Sequence, residues 1–240
     1  MGPFAGRYDA SAPYAGAGAG GLDFGAIMRQ VYLWLSIGLL VAFGVALALT
    51  TSGVGTIIYN PVVIVALVAY LILGFGFYPI VRRVSPAIGT VLYLAFAAVF
   101  GFLITSVFET YSKASIVSAF LTTLVMFGGM SLLGYTTRLN LARFGAVLIM
   151  ALIGVIIASV VNFFLHSTVL EWVLTYASVV IFAGLTAYDT QWIKRNALSL
   201  AGSATEGAVR RMALLGAFRL FLDFINLFLN LLRIFGGGQR

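Results

Sequence analysis

The sequence predicts an all-α polytopic membrane protein, a seven-transmembrane-helix bundle with a central seventh helix. The chain of 240 residues is 62% hydrophobic and only 9% charged, whereas about 25% of the residues in a typical soluble domain are charged. It contains seven apolar runs, each with about the 20 residues that a helix needs to cross the hydrocarbon of a bilayer. Its basic residues lie between these runs, as topology signals do.

The chain divides into a lead-in and a membrane domain. Residues 1–26 are rich in Gly, Ala, Pro and Tyr and lack apolar periodicity, which predicts a disordered segment followed by a transmembrane domain over residues 27–240. The apolar runs predict spans at 27–50, 57–81, 87–110, 114–135, 143–165, 169–191 and 212–235. Because the seventh run is the most polar, six spans plus a re-entrant segment is an open alternative.

Local signals support several of these boundaries. Ser85-Pro86 predicts the start of the third helix, because proline fits the first position of a helix. Thr168 and Glu171 have the spacing of a capping box that opens the sixth span. Three consecutive glycines at 236–238 predict the end of the seventh span.

The basic residues predict the orientation of the bundle. Ten of them lie in the lead-in or on the side reached after each even-numbered span, and three lie on the opposite side. The larger group contains Arg7, Arg29, Arg82, Arg83, Arg138, Arg143, Lys194, Arg195, Arg210 and Arg211. This bias predicts a cytoplasmic amino terminus. The net charge of +7 does not indicate nucleic-acid binding, since these residues do not cluster on a soluble face. The chain has no cysteine, which excludes disulfides and thiolate metal sites.

Polar side chains follow one face of the seventh span. At about 100° per residue they project within an arc of roughly 80°. The stripe consists of Arg219, Asp223, Asn226, Asn230 and Arg233. Lipid cannot satisfy such groups, so the stripe must face protein or water, which predicts a central position for this helix.

A second, weaker stripe lies on the sixth span and ends at Asp189. It consists of Glu171, Thr175, Ser178, Thr186 and Asp189. Because the two spans are antiparallel, Asp189 and Asp223 should both lie in the cytoplasmic half of the membrane. A charged side chain in hydrocarbon costs roughly 2.5–3.5 kcal/mol on insertion scales, so an intramembrane acid is a functional-site hypothesis by default.

If the two stripes face each other, Asp189 and Asp223 can share a proton, because two carboxyls in a poorly hydrated site cannot both ionise cheaply. A protonated pair can hold the two helices together by a hydrogen bond. A deprotonated pair repels, or accepts a hard cation such as Ca²⁺ through its oxygens. The pattern predicts a pH-sensitive latch in an ion path. The predicted polar path is lined by Arg219, Thr186, Asn226 and Asn230.

A simpler structural interpretation stays open beside this one. Asp223 can pair with Arg219 one turn earlier on the same helix. Asp189 can pair with Lys194 or Arg195 at the membrane surface. Both aspartates would then be neutralised locally and would have no role in a path.

Four segments resemble the bacterial branch of the Bax inhibitor family of membrane proteins. They are 29–34 (RQVYLW), 134–138 (GYTTR), 181–191 (IFAGLTAYDTQ) and 222–228 (LDFINLF). The resemblance implies a bundle in which the seventh helix is surrounded by the other six. It also implies a pH-sensitive calcium leak controlled by a di-aspartyl sensor, whose residues correspond to Asp189 and Asp223. A multi-pass protein of the bacterial inner membrane is the implied localisation.

Some members of that family carry a latching arginine on the second helix. Here the second span has no cation before Arg82 and Arg83 at its end, so these two are the possible latch. The resemblance implies calcium as the permeant ion. Asp189 and Asp223 are its possible ligands. No other cofactor is expected.

Two other classes of function are alternatives. An intramembrane aspartyl protease also carries aspartates on adjacent helices, but Asp223 is not preceded by its Gly-x-Gly turn and no Pro-Ala-Leu motif occurs. The chain is therefore not expected to be an enzyme. A non-conducting regulator of a membrane protease or of a stress response is the stronger rival, although such a protein does not need the polar stripe.

Overall fold

A computed structural model describes residues 24–53, 60–200 and 205–237 of the chain. These ranges contain helices and no strand. The helices are α1 (Phe24–Thr51), α2 (Asn60–Val81), α3 (Pro86–Leu103), α4 (Thr105–Thr110), α5 (Lys113–Thr136), α6 (Ala142–Leu165), α7 (Thr168–Leu200) and α8 (Glu206–Gly236). Seven segments here are long and apolar enough to cross a membrane, with α3 and α4 forming one of them. The predicted all-α, seven-span architecture is confirmed.

The first and third spans differ in detail from the prediction. Most of the predicted lead-in, residues 1–23, lies outside the described residues, and α1 already begins at Phe24. The third span is interrupted at Ile104, where α3 ends and α4 follows. The Thr105 hydroxyl donates a hydrogen bond to the Gly101 carbonyl oxygen at 3.2 Å. Such bonds to the preceding turn often bend a helix, and hydropathy does not reveal them.

The last two helices are longer than their predicted spans. α7 continues to Leu200 and α8 begins at Glu206, because hydropathy marks the edge of the hydrocarbon and not the end of the helix. Thr205 caps α8 by accepting the N–H of Ala208 at 3.3 Å. With 31 residues, α8 exceeds the roughly 20 residues needed for a crossing. The structure favours a seventh span over a re-entrant segment.

One predicted cap is confirmed and another is wrong. Ser85 caps α3, with Pro86 in the first turn. The capping box at Thr168 is not formed, because Ser167 accepts the N–H of Leu170 at 3.3 Å instead. Glu171 lies 3.8 Å from Arg233 of α8, so its carboxylate ties the two helices together near their shared end.

The seventh span, α8, is the centre of the bundle, as predicted. It packs most extensively against α7, α1 and α5, and large side chains on several of its faces are fully buried. Phe218 stacks on Phe77 of α2 with ring centroids 4.1 Å apart, and Phe228 meets Phe43 of α1 edge-on. α2 packs chiefly on α3, and α6 packs chiefly on α7. These two helices therefore lie at the periphery.

Candidate functional site

Asp189 of α7 and Asp223 of α8 line the same cavity. Its volume is about 980 Å³, and it lies between α2, α6, α7 and α8. Both residues are buried, with 7% and 4% of their surface exposed. The structure therefore places the two aspartates at one cavity, as the predicted latch requires.

Arg219 is the cation of this site. Its Nε lies 3.5 Å from Oδ2 of Asp189, and its guanidinium lies 4.2 Å from the centroid of the Trp192 ring. Asp189 and Trp192 are three residues apart, so they share a face of α7 and hold the same side chain. Arg219 and Asp223 are four residues apart on α8 and share a face in the same way.

Three polar atoms of the two aspartates and Arg219 lack a hydrogen-bond partner among the described residues. They are Asp189 Oδ1, Asp223 Oδ2 and Arg219 Nη1, and all three are buried. An unpaired buried polar group costs free energy, and one guanidinium cannot neutralise two carboxylates. The site therefore favours either a proton on the pair or a cation beside it.

The polar stripe continues from Asp223 along the same cavity. Asn226 and Asn230 both line it. Each amide nitrogen donates to its own helix at 2.8 Å, from Asn226 to the Leu222 carbonyl and from Asn230 to the Asn226 carbonyl. Each amide oxygen is thus left to accept hydrogen bonds or to approach a cation. Asn226 and Asn230 thus share a cavity with the two aspartates, and the ion path itself stays a prediction.

Other predicted residues lie elsewhere. Thr186 is fully buried, its hydroxyl donates to the Phe182 carbonyl at 2.8 Å, and it is not among the residues that line the cavity. Arg82 lies 5.6 Å from the centroid of the Tyr78 ring. Neither Arg82 nor Arg83 forms an ion pair with a described acidic residue. Arg219, which the sequence assigned to the path or to a local pair with Asp223, occupies the position expected of a latch.

The simpler pairing scheme also differs from the structure. Lys194 donates to the Tyr135 carbonyl at 2.7 Å, and Arg195 donates to the Gln191 side-chain oxygen at 2.7 Å. Both basic residues thus bind the protein away from Asp189. Arg219 pairs with Asp189 on the neighbouring helix, so the ion pair joins α7 to α8.

A chain of hydrogen-bonded hydroxyl groups links α7 to α5 and α1 beside Asp189. Thr190 is hydrogen-bonded to Ser131 of α5 at 3.0 Å, and Ser131 is hydrogen-bonded to Tyr32 of α1. Ser131 and Tyr32 also line a second cavity, of about 770 Å³, between α1 and α5. Three helices are thereby tied together beside the aspartate, which restricts the rotation of α7.

Several residues of the site were not predicted from the sequence. Trp192 lies three positions after Asp189, a spacing that could have placed it on the same face. Tyr188 lines the cavity, and its ring packs directly against Gly145 of α6, where a Cβ would overlap it. Tyr70 of α2 and the apolar wall from α6 also line the cavity. No sequence signal distinguishes that wall from any other lipid-facing surface.

The Gln191 side chain of α7 binds the loop that connects α5 and α6. Its side-chain nitrogen donates to the Leu139 carbonyl at 2.8 Å, and its oxygen accepts the N–H of Leu141 at 2.8 Å. We expect Gln191→Ala to lower the free energy of unfolding by about 1–3 kcal/mol, because both backbone groups lose their partner. Thermal unfolding of the purified protein in detergent measures the change.

Asn196→Ala is the matched control for this substitution. The Asn196 amide donates to the Trp192 carbonyl of its own helix, so its loss leaves the connection in place. Equal stability of the two variants would mean that Gln191 does not hold the connection.

Comparisons with known proteins show the family of this chain. The family model described as "Inhibitor of apoptosis-promoting Bax1" matches residues 25–240. "Inner membrane protein YbhL" of Escherichia coli is 44% identical over 212 residues, covering 87% of this chain and 90% of that protein. A protein of Borreliella burgdorferi is 39% identical over 214 residues, covering 87% of this chain and 90% of its own length. One from Caulobacter vibrioides is 36% identical over 230 residues, covering 89% of each. The chain belongs to the Bax inhibitor family of membrane proteins.

Proposed function

We propose that this protein is a pH-sensitive leak channel for calcium and similar cations, gated by Asp189 and Asp223. The observation that carries the proposal is the group of two buried carboxyls and one guanidinium at the cavity. Each carboxyl has an oxygen without a partner among the described residues. Such a group responds to both protons and cations, which a gate for cations requires. No catalytic residue forms part of this proposal.

The proposed setting is the inner membrane, with the amino terminus in the cytoplasm. The Escherichia coli relative is named as an inner membrane protein, and the bias of basic residues supports the orientation. Asp189 and Asp223 then lie in the cytoplasmic half of the membrane, and Asn226 and Asn230 extend the path outward.

In the proposed mechanism, protonation changes how α7 and α8 fit together. With one proton on the pair, Asp189 stays bound to Arg219 and the shared proton joins the carboxyls. Loss of that proton leaves two negative charges beside one positive charge, and repulsion or an entering cation changes the helix contact. Two carboxylates supply fewer oxygens than the roughly 6–8 that Ca²⁺ takes. Calcium is thus proposed as a permeant ion and not as a resident cofactor.

Calcium flux into liposomes tests this mechanism. Purified protein is reconstituted with a trapped calcium dye, and the external pH is stepped between pH 6 and pH 8, values chosen to bracket neutrality. We expect the flux of the unmodified protein to change with pH. Asp189→Asn and Asp223→Asn should remove the pH response, since an amide cannot release the proton.

Glu206→Gln provides the matched control, because Glu206 is an exposed acid at the start of α8. It should keep the pH response of the unmodified protein. Equal flux at every pH in the unmodified protein and both asparagine variants would contradict the gate. That result would favour the non-conducting regulator of a membrane protease or a stress response.

A further inference from the structure

The cavity beside the aspartates is much larger than a metal ion requires. Its volume of about 980 Å³ is at the upper end of the roughly 300–1,000 Å³ typical of pockets for organic ligands. Apart from the polar stripe, its wall is mostly apolar and comes largely from α6. That wall includes Leu152, Val155, Ile156 and Val160. A polar end and a long apolar side are the features of a site for an amphiphile.

The cavity opens sideways, towards the hydrocarbon of the membrane. Phe75 of α2 and Ile156 and Val160 of α6 all line it, yet 83%, 54% and 57% of their surfaces are exposed. All three lie inside membrane spans. Because α2 packs chiefly on α3 and α6 packs chiefly on α7, a gap remains between α2 and α6. A molecule dissolved in the bilayer can enter through this gap.

The charges at the closed end of the cavity select a cation. With both carboxyls ionised, Asp189, Asp223 and Arg219 sum to one negative charge. The other titratable groups that line the cavity are the hydroxyls of Tyr70 and Tyr188, and α2 and α6 contribute no charged residue to it. Asp223 Oδ2 and Asp189 Oδ1 are buried acceptors without a described partner, so they match a donor that carries one positive charge.

We propose that this cavity binds a single-chain cationic amphiphile, a primary amine that enters laterally from the bilayer. Its ammonium group donates to the free oxygens of Asp189 and Asp223, and its alkyl chain lies along α6 in the gap beside α2. This site does not depend on the proposed leak, because it requires occupancy and not conduction.

Photolabelling tests the proposal on the full chain in lipid nanodiscs. The probe is dodecylamine with a diazirine in its alkyl chain, compared with the matching alcohol and the matching carboxylic acid at equal mole fractions in the bilayer. Labelled positions are mapped by mass spectrometry. We expect the amine to label the gap residues, Phe75, Ile156 and Val160, about tenfold more than the alcohol does, as two charge-assisted hydrogen bonds favour the amine.

Two variants separate the two ends of the ligand. Asp223→Asn removes an ionised acceptor and should reduce labelling by the amine to the level given by the alcohol. Val160→Trp fills the mouth of the cavity and should also abolish the excess. Val161→Trp is its matched control, because Val161 is 47% exposed but does not line the cavity.

The labelling pattern can also overturn the proposal. Equal labelling by the amine and the alcohol would show that the charges do not select the ligand. Equal effects of Val160→Trp and Val161→Trp would show that the gap is not the point of entry. Either result counts against the site whether or not the liposomes conduct calcium.

Discussion

Arg219→Met is expected to lower the free energy of unfolding by about 3 kcal/mol, the lower end of the range measured when one partner of a buried ion pair is removed. The lower end applies because 28% of the Arg219 side chain is exposed. Methionine retains much of the side-chain length, so the loss of packing is small. What remains is two carboxyls without their cation, and the Trp192 ring without the guanidinium it contacts. Chemical or thermal unfolding in detergent at constant pH measures the change.

The double variant Arg219→Met with Asp189→Asn separates charge from packing. The double variant leaves one buried carboxyl, Asp223, without its cation in place of two, so it should regain part of the lost stability. Arg210→Met is the matched control, because Arg210 is exposed on the same helix. If Arg219→Met is as stable as Arg210→Met, the guanidinium does not stabilise the aspartates.

Arg219→Lys tests the geometry of the same contact. Lysine keeps the positive charge but lacks the planar guanidinium that stacks on an aromatic ring. We expect a loss of stability smaller than that of Arg219→Met. When Trp192 is replaced by leucine, arginine and lysine at position 219 should give equal stability. A lysine variant that matches the unmodified protein would assign no role to the Trp192 contact.

The central helix and the facing aspartates could be predicted because their signal is local. Polar residues spaced at the helical period on an otherwise apolar helix must turn away from lipid, whichever helix they meet. That requirement places α8 inside the bundle and Asp223 in its interior without knowledge of the other helices. The same reasoning places Asp189 on the buried side of α7.

The partner of each charge could not be predicted because it depends on packing between helices. Arg219 has Asp223 four residues away on its own helix, and the sequence left that local pair open as an alternative. The structure instead places Arg219 against Asp189, because α7 presents Asp189 and Trp192 together to the same side chain. The sequence gives no measure of how far one helix slides or rotates against the next.

The lateral gap was equally invisible in the sequence. α2 and α6 are almost uniformly apolar, so a residue that lines a cavity, such as Val160, looks the same as one that faces only lipid, such as Val161. Only the positions of both helices relative to α7 and α8 distinguish the two. The sequence therefore predicted an ion path but not the size of the cavity.

Gly134→Ala is expected to destabilise the protein by about 3 kcal/mol, at the upper end of the usual effect of overpacking. A Cβ at Gly134 of α5 would overlap the carbonyl oxygen of Ala187 in α7 and would lie 2.8 Å from its carbonyl carbon and Cα. Backbone atoms cannot rotate away as a side chain can, so α5 and α7 must move apart. Thermal unfolding in detergent measures the loss. Because Ala187 is two residues before Asp189, we also expect a weaker pH response in the liposome assay.

Gly129→Ala is the control for this prediction, because Gly129 lies in the same helix and a Cβ there meets no atom within 4 Å. Alanine is the better helix former by roughly 0.5–1 kcal/mol, so this variant should be as stable as the unmodified protein or slightly more so. The two substitutions add the same methyl group to the same helix, and only the approach of α7 distinguishes them. If both variants unfold at the same temperature, α5 and α7 do not require a glycine at their contact. If Gly134→Ala alone loses stability, the close approach of α5 to Ala187 of α7 requires a glycine at position 134.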